Sequence, residues 1–332
     1  MDHSGWWFIR SAARAALVMN PKASTKSANP YSRYSLPSRR DHPGSEPSRS
    51  RIWSVSSLSM VPEGAASNLK APLPALPVED AGAGTLEAVR RCMGDALECE
   101  RVGVAFSGGV DSSLLARVCS EHAGVTLLTV GFESSHDMEY SALAAPRLRL
   151  PHHIHAISGE ELGRAHRLVD GYIPPGRPLS WHENCIAFHF VAGLAAGLGL
   201  ERVVAANGID ELFCGYDSYR RIYDSGEEAI GEMMRQKTAN EIQMAGAIRE
   251  VAGRQGILIE QPLLGGAFVE FSGMVPLHEK ITGSGDYLRK HAVRRAAALA
   301  GLPSDICLKR KKALQYGTRI HPRLLRTIRR RL

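Results

Sequence analysis

The sequence predicts a doubly wound parallel α/β sheet followed by a helical C-terminal part. Short apolar runs at 102–106, 125–131, 152–157 and 202–206 alternate with segments of helical periodicity. That alternation is typical of parallel strands covered by helices on both faces. A glycine-rich turn follows the first run directly, and after Tyr223 the strand pattern fades while helical patterns continue. We therefore expect the strands to come early in the chain and the last third to be helical.

The elements follow one another in a regular order. A first amphipathic helix is expected at 86–97, before the first strand, and a second begins at Leu114 and stops near Gly124. A third helix follows Asp137, and Pro146 falls inside it. Because proline lacks the backbone N–H and its ring crowds the preceding turn, we expect a kink or an early stop there.

Composition separates a leader from the globular part of the 332 residues. Residues 1–76 are rich in Ser, Pro and Arg, carry ten basic against four acidic residues, and show no sustained apolar period. We expect this leader to be disordered, with an α/β core at 77–223 and helices at 224–332 that close over the sheet. The leader also fits an organelle transit peptide, or an upstream extension of a reading frame that starts at Met60.

Several classes of protein are excluded by composition. No apolar run approaches the length of a membrane helix, so we expect a soluble, cytoplasmic protein with no membrane partner. The six cysteines lack Cys-x-x-Cys spacing, which indicates reduced thiols rather than a disulfide framework or a zinc site. The leader supplies most of the formal net charge of +7. Basic ends such as Arg329–Arg331 are more typical of an exposed tail than of RNA binding, so no nucleic-acid partner is expected.

The most specific stretch is the turn Ser107–Ser113, with the sequence Ser-Gly-Gly-Val-Asp-Ser-Ser. Two glycines let the backbone approach a phosphate, and the free N–H groups at the start of the following helix favour an anion. Mg²⁺ would give Asp111 a reason to lie beside phosphate, because a hard cation bridges carboxylate and phosphate oxygens. The Lys-Ser/Thr pair of a Walker loop is absent. The alternative is a plain turn with Asp111 as helix N-cap.

The turn Ser107–Ser113 resembles the pyrophosphate loop of the N-type ATP pyrophosphatases, and four further elements resemble the synthase domain of asparagine synthetases. Asn207–Tyr216 is similar to the family's Gly-x-x-Asp-Glu-Leu-Phe-Gly-Gly-Tyr element, and Lys311–Gly317 to its C-terminal lysine segment. Asp137–Tyr140 and Leu150–His153 fall where that domain has Asp-x-Glu-Tyr and Leu-Gly-x-x-His-His. Five elements in the family's order are more specific than any one of them.

The resemblance implies a fold and a reaction. The fold would be that of the adenine nucleotide α-hydrolase-like, PP-loop proteins. In this family a substrate carboxylate attacks the α-phosphorus of ATP and pyrophosphate leaves, so ATP and Mg²⁺ are the expected cofactors. The acyl-adenylate then reacts with an amine. Catalysis of such a reaction rests on positioning and on electrostatic stabilisation of the charge that develops.

The same resemblance implies roles for individual residues. Asp111 and Asp210 would hold magnesium, and Lys311 would stabilise negative charge during adenylation and amide formation. The residues expected to bind ATP and pyrophosphate are Ser107, Gly108, Gly109, Asp111, Ser112, Ser113 and Gly208. Alternatives remain: Asp210 would also serve as a helix N-cap, and Lys311 lies in the basic run Lys309–Lys312, which is typical of a solvated face.

Candidates for the substrate pocket follow from position in these motifs. They are Asn207, Glu211 and Glu183. Glu183 belongs to Trp181–Asn184, which we expect to precede a helix ending near Gly199, and a helix N-terminal charge is an equal interpretation. His152 and His153 carry side chains that titrate near neutral pH, but no partner carboxylate is identifiable, so we assign them no catalytic role.

Three departures from the family pattern bear on the product. Asparagine synthetases have a Glu three positions before the signature Asp, where this chain has Asn207, and an amide is a poor general base. Pro262–Gly265 stands where the family has Pro-Phe-Leu-Asp, so a second carboxylate is missing. Residue 2 is Asp rather than Cys, and no Cys precedes Cys92. We therefore expect no glutaminase domain, with ammonia arriving already neutral from solution or from a separate glutaminase.

The leading hypothesis is an asparagine-synthetase-like ligase that joins a carboxylate, expected to be aspartate, to ammonia through β-aspartyl-AMP. One alternative is an amide ligase or a β-lactam-synthetase-like cyclase acting on another carboxylate. Another is a non-catalytic nucleotide-binding subunit for a separate glutaminase. The intact loop Ser107–Ser113, with Asp210 and Lys311, favours catalysis, whereas Asn207 and Gly265 favour the non-catalytic alternative.

Overall fold

The computed structural model of the protein describes residues 80–97, 99–310 and 314–329. The predicted leader at 1–76, the alternative start at Met60 and the predicted catalytic Lys311 lie outside the described residues. None of the described helices is both long enough and apolar enough to cross a membrane.

Among the described residues, five parallel strands form the sheet, in the order β3-β2-β1-β4-β5. The strands are β1 Arg101–Ala105, β2 Gly124–Gly131, β3 His152–Ala156, β4 Arg202–Val204 and β5 Leu258–Glu260. The chain winds outward from β1 to β3 and then continues on the other side through β4 and β5. This reversal places a topological switch point between β1 and β4, where ligands of such sheets bind. The doubly wound parallel sheet predicted from the sequence is confirmed.

Helices connect the strands and cover both faces of the sheet. The helices up to β4 are α1 Ala81–Ala96, α2 Val110–Cys119, α3 His136–Leu148, α4 Gly159–Asp170 and α5 Leu179–Gly197. Those after β4 are α6 Ile209–Leu212, α7 Asp217–Arg221, α8 Glu227–Gly253, α9 Gly266–Met274, α10 His291–Leu299, α11 Ser304–Cys307, α12 Leu314–Gly317 and α13 Ile320–Arg329. Single 3-10 turns lie at Tyr223–Ser225, Pro262–Leu264 and Leu277–Glu279.

Two apolar layers form the core, one on each face of the sheet. Side chains of α1, α2 and α10 pack with Val204 of β4 on one face. Side chains of α5, α8 and α13 pack with Val203, the adjacent residue of β4, on the other. Because successive side chains of a strand point to opposite faces, one strand contributes to both layers. The sheet is thereby held rigid from both sides, with its carboxyl edge left for the site.

The boundaries differ from those predicted at three places, and the early stop expected at Pro146 is observed. Helix α1 starts at Ala81, five residues earlier than expected, because the Asp80 carboxylate accepts hydrogen bonds from two backbone N–H groups at its start. Helix α2 ends at Cys119 instead of near Gly124. Helix α3 ends at Leu148, two residues after Pro146, so the early stop is observed. Residues Trp181–Asn184 lie inside α5, not before it.

The expectation of an entirely helical last third was wrong in one respect. Strand β5 pairs in parallel with β4 and extends the sheet at one edge. It is three residues long, and only Ile259 among them is fully buried. Such a strand is too short to show the alternation from which strands are predicted.

Candidate active site

The loop between β1 and α2 is shaped for close approach to an anion. Gly108 has a φ of 71°, and a Cβ there would lie 2.7 Å from the carbonyl oxygen of Tyr140 in α3. Glycine is therefore required both by the backbone conformation and by packing. The N-cap of α2 is Gly109, and Asp111 lies in the first turn without capping it. The interpretation of Asp111 as a helix N-cap is thus wrong, and its carboxylate can bind other groups.

The three serines of the loop differ in their surroundings. The hydroxyl of Ser112 accepts a hydrogen bond from the backbone N–H of Ser107 (3.2 Å) and lies 3.3 Å from the Ser107 hydroxyl. Ser113 is fully buried, and its hydroxyl has no hydrogen-bond partner among the described residues. Ser107 and Ser112 thus close the loop on itself, and their assigned binding of pyrophosphate remains a prediction.

Asp111 and Asp210, the two predicted metal ligands, meet at the carboxyl ends of the adjacent strands β1 and β4. The Lys290 ammonium donates to Oδ2 of Asp111 at 2.5 Å and to Oδ1 of Asp210 at 2.8 Å. The N-cap of α6 is Gly208, so the N-cap interpretation of Asp210 is also wrong. Two carboxylates separated by 99 positions in the sequence therefore share one point in space.

The residues present fit a magnesium ion. The second oxygen of Asp111, Oδ1, is buried and has no hydrogen-bond partner among the described residues. A buried carboxylate oxygen without a partner is costly unless a cation joins it. Within the described part of the chain no group of three or more His, Cys, Asp or Glu side chains could hold a metal. Mg²⁺ is commonly held by one or two carboxylates together with substrate phosphates and water, so Asp111 and Asp210 are a sufficient set of protein ligands for it.

Beside this pair lies a pocket rich in cationic side chains. It is lined by Ser107, Gly109, Val110, Asp111, His136, Asp137, Lys290, Arg294, Lys309 and Arg310. Four Lys and Arg residues of this set were not among the predicted site residues, and all four belong to the C-terminal part: Lys290, Arg294, Lys309 and Arg310. Four cations around the phosphate loop can neutralise a polyphosphate. The signal that would have found them is the density of Lys and Arg near the lysine segment, which we had interpreted as a solvated face.

Arg294 connects two of the segments that line the cationic pocket. Its guanidinium donates to the backbone carbonyls of Leu288 (2.6 Å), Arg289 (2.7 Å) and Lys309 (2.9 Å). Burial lowers the pKa of Arg294 from its ordinary value, and the Asp111 carboxylate opposes part of that shift. Arg294 therefore holds the segments that carry Lys290 and Lys309 in a fixed relation.

Asn207 is paired with a carboxylate that the sequence did not suggest. Its amide nitrogen donates to Oε1 of Glu241 in α8 at 2.6 Å, and Glu241 is buried. Glu211 accepts from the backbone N–H of Gly208 (3.0 Å) and from the Tyr216 hydroxyl. Burial, followed by the nearby carboxylates, raises the pKa of Tyr216 well above its ordinary value. Glu211 braces the signature turn, and Glu241 stands next to the position where the family carries Glu.

Gly208 has a structural role that is independent of phosphate. Its φ is 108°, and a Cβ there would clash with the backbone carbonyl of Leu263. Gly208 is not among the residues that line the cationic pocket. Its assignment to pyrophosphate remains a prediction.

Glu183 and the histidines of β3 lie apart from the cationic pocket. Glu183 is buried and its carboxylate contacts Nδ1 of His321 in α13. Burial raises the pKa of Glu183, and His321 opposes that shift. Nε2 of His152 lies 2.8 Å from the Thr129 hydroxyl, and burial, followed by the neighbouring His153, lowers the pKa of His152 to about 4. A neutral, hydrogen-bonded His152 agrees with its exclusion from the catalytic residues.

The fold and the site define a parallel α/β nucleotide-binding protein whose acidic pair lies at the topological switch point. A model of the asparagine synthase family matches residues 85–256, and the chain belongs to that family. It is 26% identical over 258 residues to a putative glutamine-hydrolyzing asparagine synthetase of Methanocaldococcus jannaschii, covering 66% of this chain and 46% of that protein. It is 21% identical over 231 residues to asparagine synthetase B of Escherichia coli, covering 65% and 41%.

Other relatives share shorter stretches. The NH(3)-dependent NAD(+) synthetase of Wolinella succinogenes is 31% identical over 122 residues, 35% of this chain and 46% of that protein. Among solved structures, NMN synthetase from Francisella tularensis is 14% identical with a TM-score of 0.38, covering 72% of this chain and 77% of that one. The chain spans about half the length of the curated relatives it matches.

Proposed function

We propose that the protein is an asparagine-synthetase-like, ATP-dependent ligase. A carboxylate, expected to be aspartate, attacks the α-phosphorus of ATP, pyrophosphate leaves, and the acyl-adenylate reacts with ammonia to give an amide and AMP. One observation carries this proposal. The carboxylates of Asp111 and Asp210 both accept hydrogen bonds from the Lys290 ammonium, beside the loop Ser107–Ser113. Membership of the asparagine synthase family supports the same chemistry.

Different groups of the site contribute to the first step in different ways. The backbone N–H groups at the start of α2 bind the leaving pyrophosphate, as helix N-termini bind anions. Arg294, Lys309 and Arg310 face the same pocket and stabilise the negative charge that develops on it. Asp111 and Asp210 would hold Mg²⁺, which supplies further charge neutralisation when bound. Lys311 retains its proposed role at the α-phosphoryl group.

In the second step ammonia attacks the acyl carbon, AMP leaves with the bonding electrons, and one proton must leave the new C–N nitrogen. Asn207 cannot accept that proton. Glu241 is buried and its carboxylate is hydrogen-bonded to the Asn207 side chain. We assign the proton to Glu241, with Asn207 as the residue that positions it. The carboxylate missing from position 207 would thus be replaced in space by one from α8.

The test is pyrophosphate release measured across the amino acids and other small carboxylates, with and without ammonium, with Asp210→Asn as the matched control. We expect release with aspartate, amide formation when ammonium is present, and neither product with the variant. Release with a different carboxylate would establish the alternative of another amide ligase or cyclase. ATP binding without release for any carboxylate would contradict the ligase and favour a nucleotide-binding subunit of a separate glutaminase.

A further inference from the structure

Lys290 is a buried lysine at the centre of the acidic pair. Its side chain is 1% exposed, and its ammonium bonds to one oxygen of Asp111 and one of Asp210. Two carboxylates and one ammonium leave a net negative charge in a region with little solvent. Such a group is stable only while every charge keeps a partner. Lys290 is therefore the cation that offsets the mutual repulsion of the two aspartates.

The backbone that presents Lys290 is strained. Arg289 and Lys290 are consecutive non-glycine residues with φ of 52° and 55°, in the left-handed region. The surrounding contacts enforce this conformation: the N–H of Lys290 donates to the Lys280 carbonyl (2.6 Å), and the N–H of Arg289 donates to the Asp286 carboxylate (2.9 Å). Strain that is enforced in this way is typical of functional sites and is rarely needed for a simple structural ion pair.

A metal ion held by the acidic pair would lie close to the Lys290 ammonium. Mg²⁺ approaches carboxylate oxygens to about 2.0–2.1 Å, and two of the four oxygens of the pair are already bonded to the ammonium. A metal ion and an ammonium about 4 Å apart repel each other by several kcal/mol, even at the effective dielectric constant of a protein surface. A metal held by Asp111 and Asp210 would therefore repel the ammonium, and a buried ammonium that moves away needs a new anionic partner.

We propose that Lys290 is the resident cation of the metal site and couples metal binding to nucleotide binding. Without nucleotide it occupies the position between Asp111 and Asp210 and keeps divalent cations out. When ATP is bound, the phosphates offer the ammonium new partners, because Lys290 lines the same pocket as Ser107 and Gly109. Lys290 would then move to the polyphosphate and leave Asp111 and Asp210 to hold the metal. This inference rests on the proposed function only for the two metal ligands.

The experiment measures Mn²⁺ binding to the full-length protein by the electron paramagnetic resonance of free Mn²⁺, because carboxylate sites for Mg²⁺ also accept Mn²⁺. Titrations are done without nucleotide and with a non-hydrolysable ATP analogue. The variants are Lys290→Met, which keeps the side-chain length, and the double variant Asp111→Asn/Lys290→Met. Lys280→Met is the matched control, because Lys280 is an equally buried lysine that donates to the Ser272 carbonyl.

Without nucleotide we expect Lys290→Met to bind Mn²⁺ at least about tenfold more tightly than the wild type, on the scale of one lost like charge. The double variant should lose this gain, and Lys280→Met should match the wild type. The analogue should tighten Mn²⁺ binding to the wild type by a similar factor.

Two results would overturn the proposal. The first is tight binding of Mn²⁺ to the nucleotide-free wild type, which needs no variant and so does not depend on whether Lys290→Met folds. The second is equal affinity of Lys290→Met and the wild type. The expected Mn²⁺ pattern without pyrophosphate release would overturn only the ligase assignment, whereas absence of Mn²⁺ binding in every case would remove the metal site itself.

Discussion

The acidic half and the cationic half of the site are built in different ways. The acidic half consists of Ser107–Ser113 and Asn207–Tyr216, each of which directly follows a strand. The cationic half is the stretch 286–310, which carries Lys290, Arg294, Lys309 and Arg310. The Arg294 side chain ties this stretch together by donating to the backbone carbonyls of Leu288, Arg289 and Lys309. The first half is fixed by the strands of the sheet, and the second by side-chain bonds of Arg294 in α10 to the segments on either side of that helix. The difference shows why a local motif can reveal the acidic residues of this site and not its cationic residues.

The largest effect is expected from a substitution in the acidic half of the site. Asp111→Asn should reduce Mg²⁺-dependent pyrophosphate release by about three orders of magnitude or more, because one metal-ligand charge is lost and the polyphosphate is left uncompensated. The measurement is the steady-state rate of pyrophosphate release at saturating Mg²⁺, with the melting temperature as the check of folding. Wild-type turnover by a folded variant would show that Asp111 does not hold the metal.

The sequence-based predictions named the residues of the acidic half of the site and missed those that other parts of the chain bring to it. Four strands and the loop could be predicted because the residues that determine each of them lie within a few positions of one another. The two aspartates could be predicted because each lies in a short motif that follows a strand. Lys290 could not be predicted, because it lies 179 positions from Asp111. Glu241 lies 34 positions from Asn207 on a helix whose pattern gives no sign of the contact. Long-range pairs of this kind depend on how helices close over the sheet, which periodicity does not encode.

The next effect tests whether the lysine segment contributes to the cationic half. Lys311→Ala should slow adenylation by about two to three orders of magnitude while ATP affinity changes little, the scale for losing one contact that strengthens in the transition state. Lys312→Ala is the control and should change the rate little. Single-turnover rates and equilibrium binding of ATP separate the two effects. If both variants slow adenylation equally, the loss reflects the positive charge of the segment and not a specific role of Lys311.

Glu241 tests whether a carboxylate from α8 completes the acidic half. Glu241→Gln should slow amide formation by about two orders of magnitude, the lower range for loss of a general base, and should leave adenylation unchanged. Hydroxylamine, which is mostly neutral near neutral pH, should restore part of the rate. Adenylation is followed by exchange of labelled pyrophosphate into ATP. If both half-reactions slow equally, Glu241 only supports the fold through Asn207.

The smallest expected effect concerns the strand end that carries the phosphate loop. The Thr129 hydroxyl donates to the carbonyl of Phe106, the residue before the loop, and Nε2 of His152 lies 2.8 Å from the same hydroxyl. Burial lowers the pKa of His152 from 6.5 to about 4. Between these values the unfolded chain binds a proton that the folded chain does not, so stability is fully present above pH 6.5 and falls as the pH drops towards 4. The shift corresponds to about 1–3 kcal/mol of unfolding free energy.

In His152→Gln this contribution to the acid dependence should disappear, so urea unfolding midpoints should fall less steeply with decreasing pH than in the wild type. His278→Gln, at an exposed histidine, is the control. Because His152 braces the strand end without lining the cationic pocket, pyrophosphate release above pH 6.5 should be unchanged. An unaltered acid slope would show that His152 does not couple protonation to folding. A loss of activity at neutral pH would show that the brace at Phe106 also sets the position of the loop.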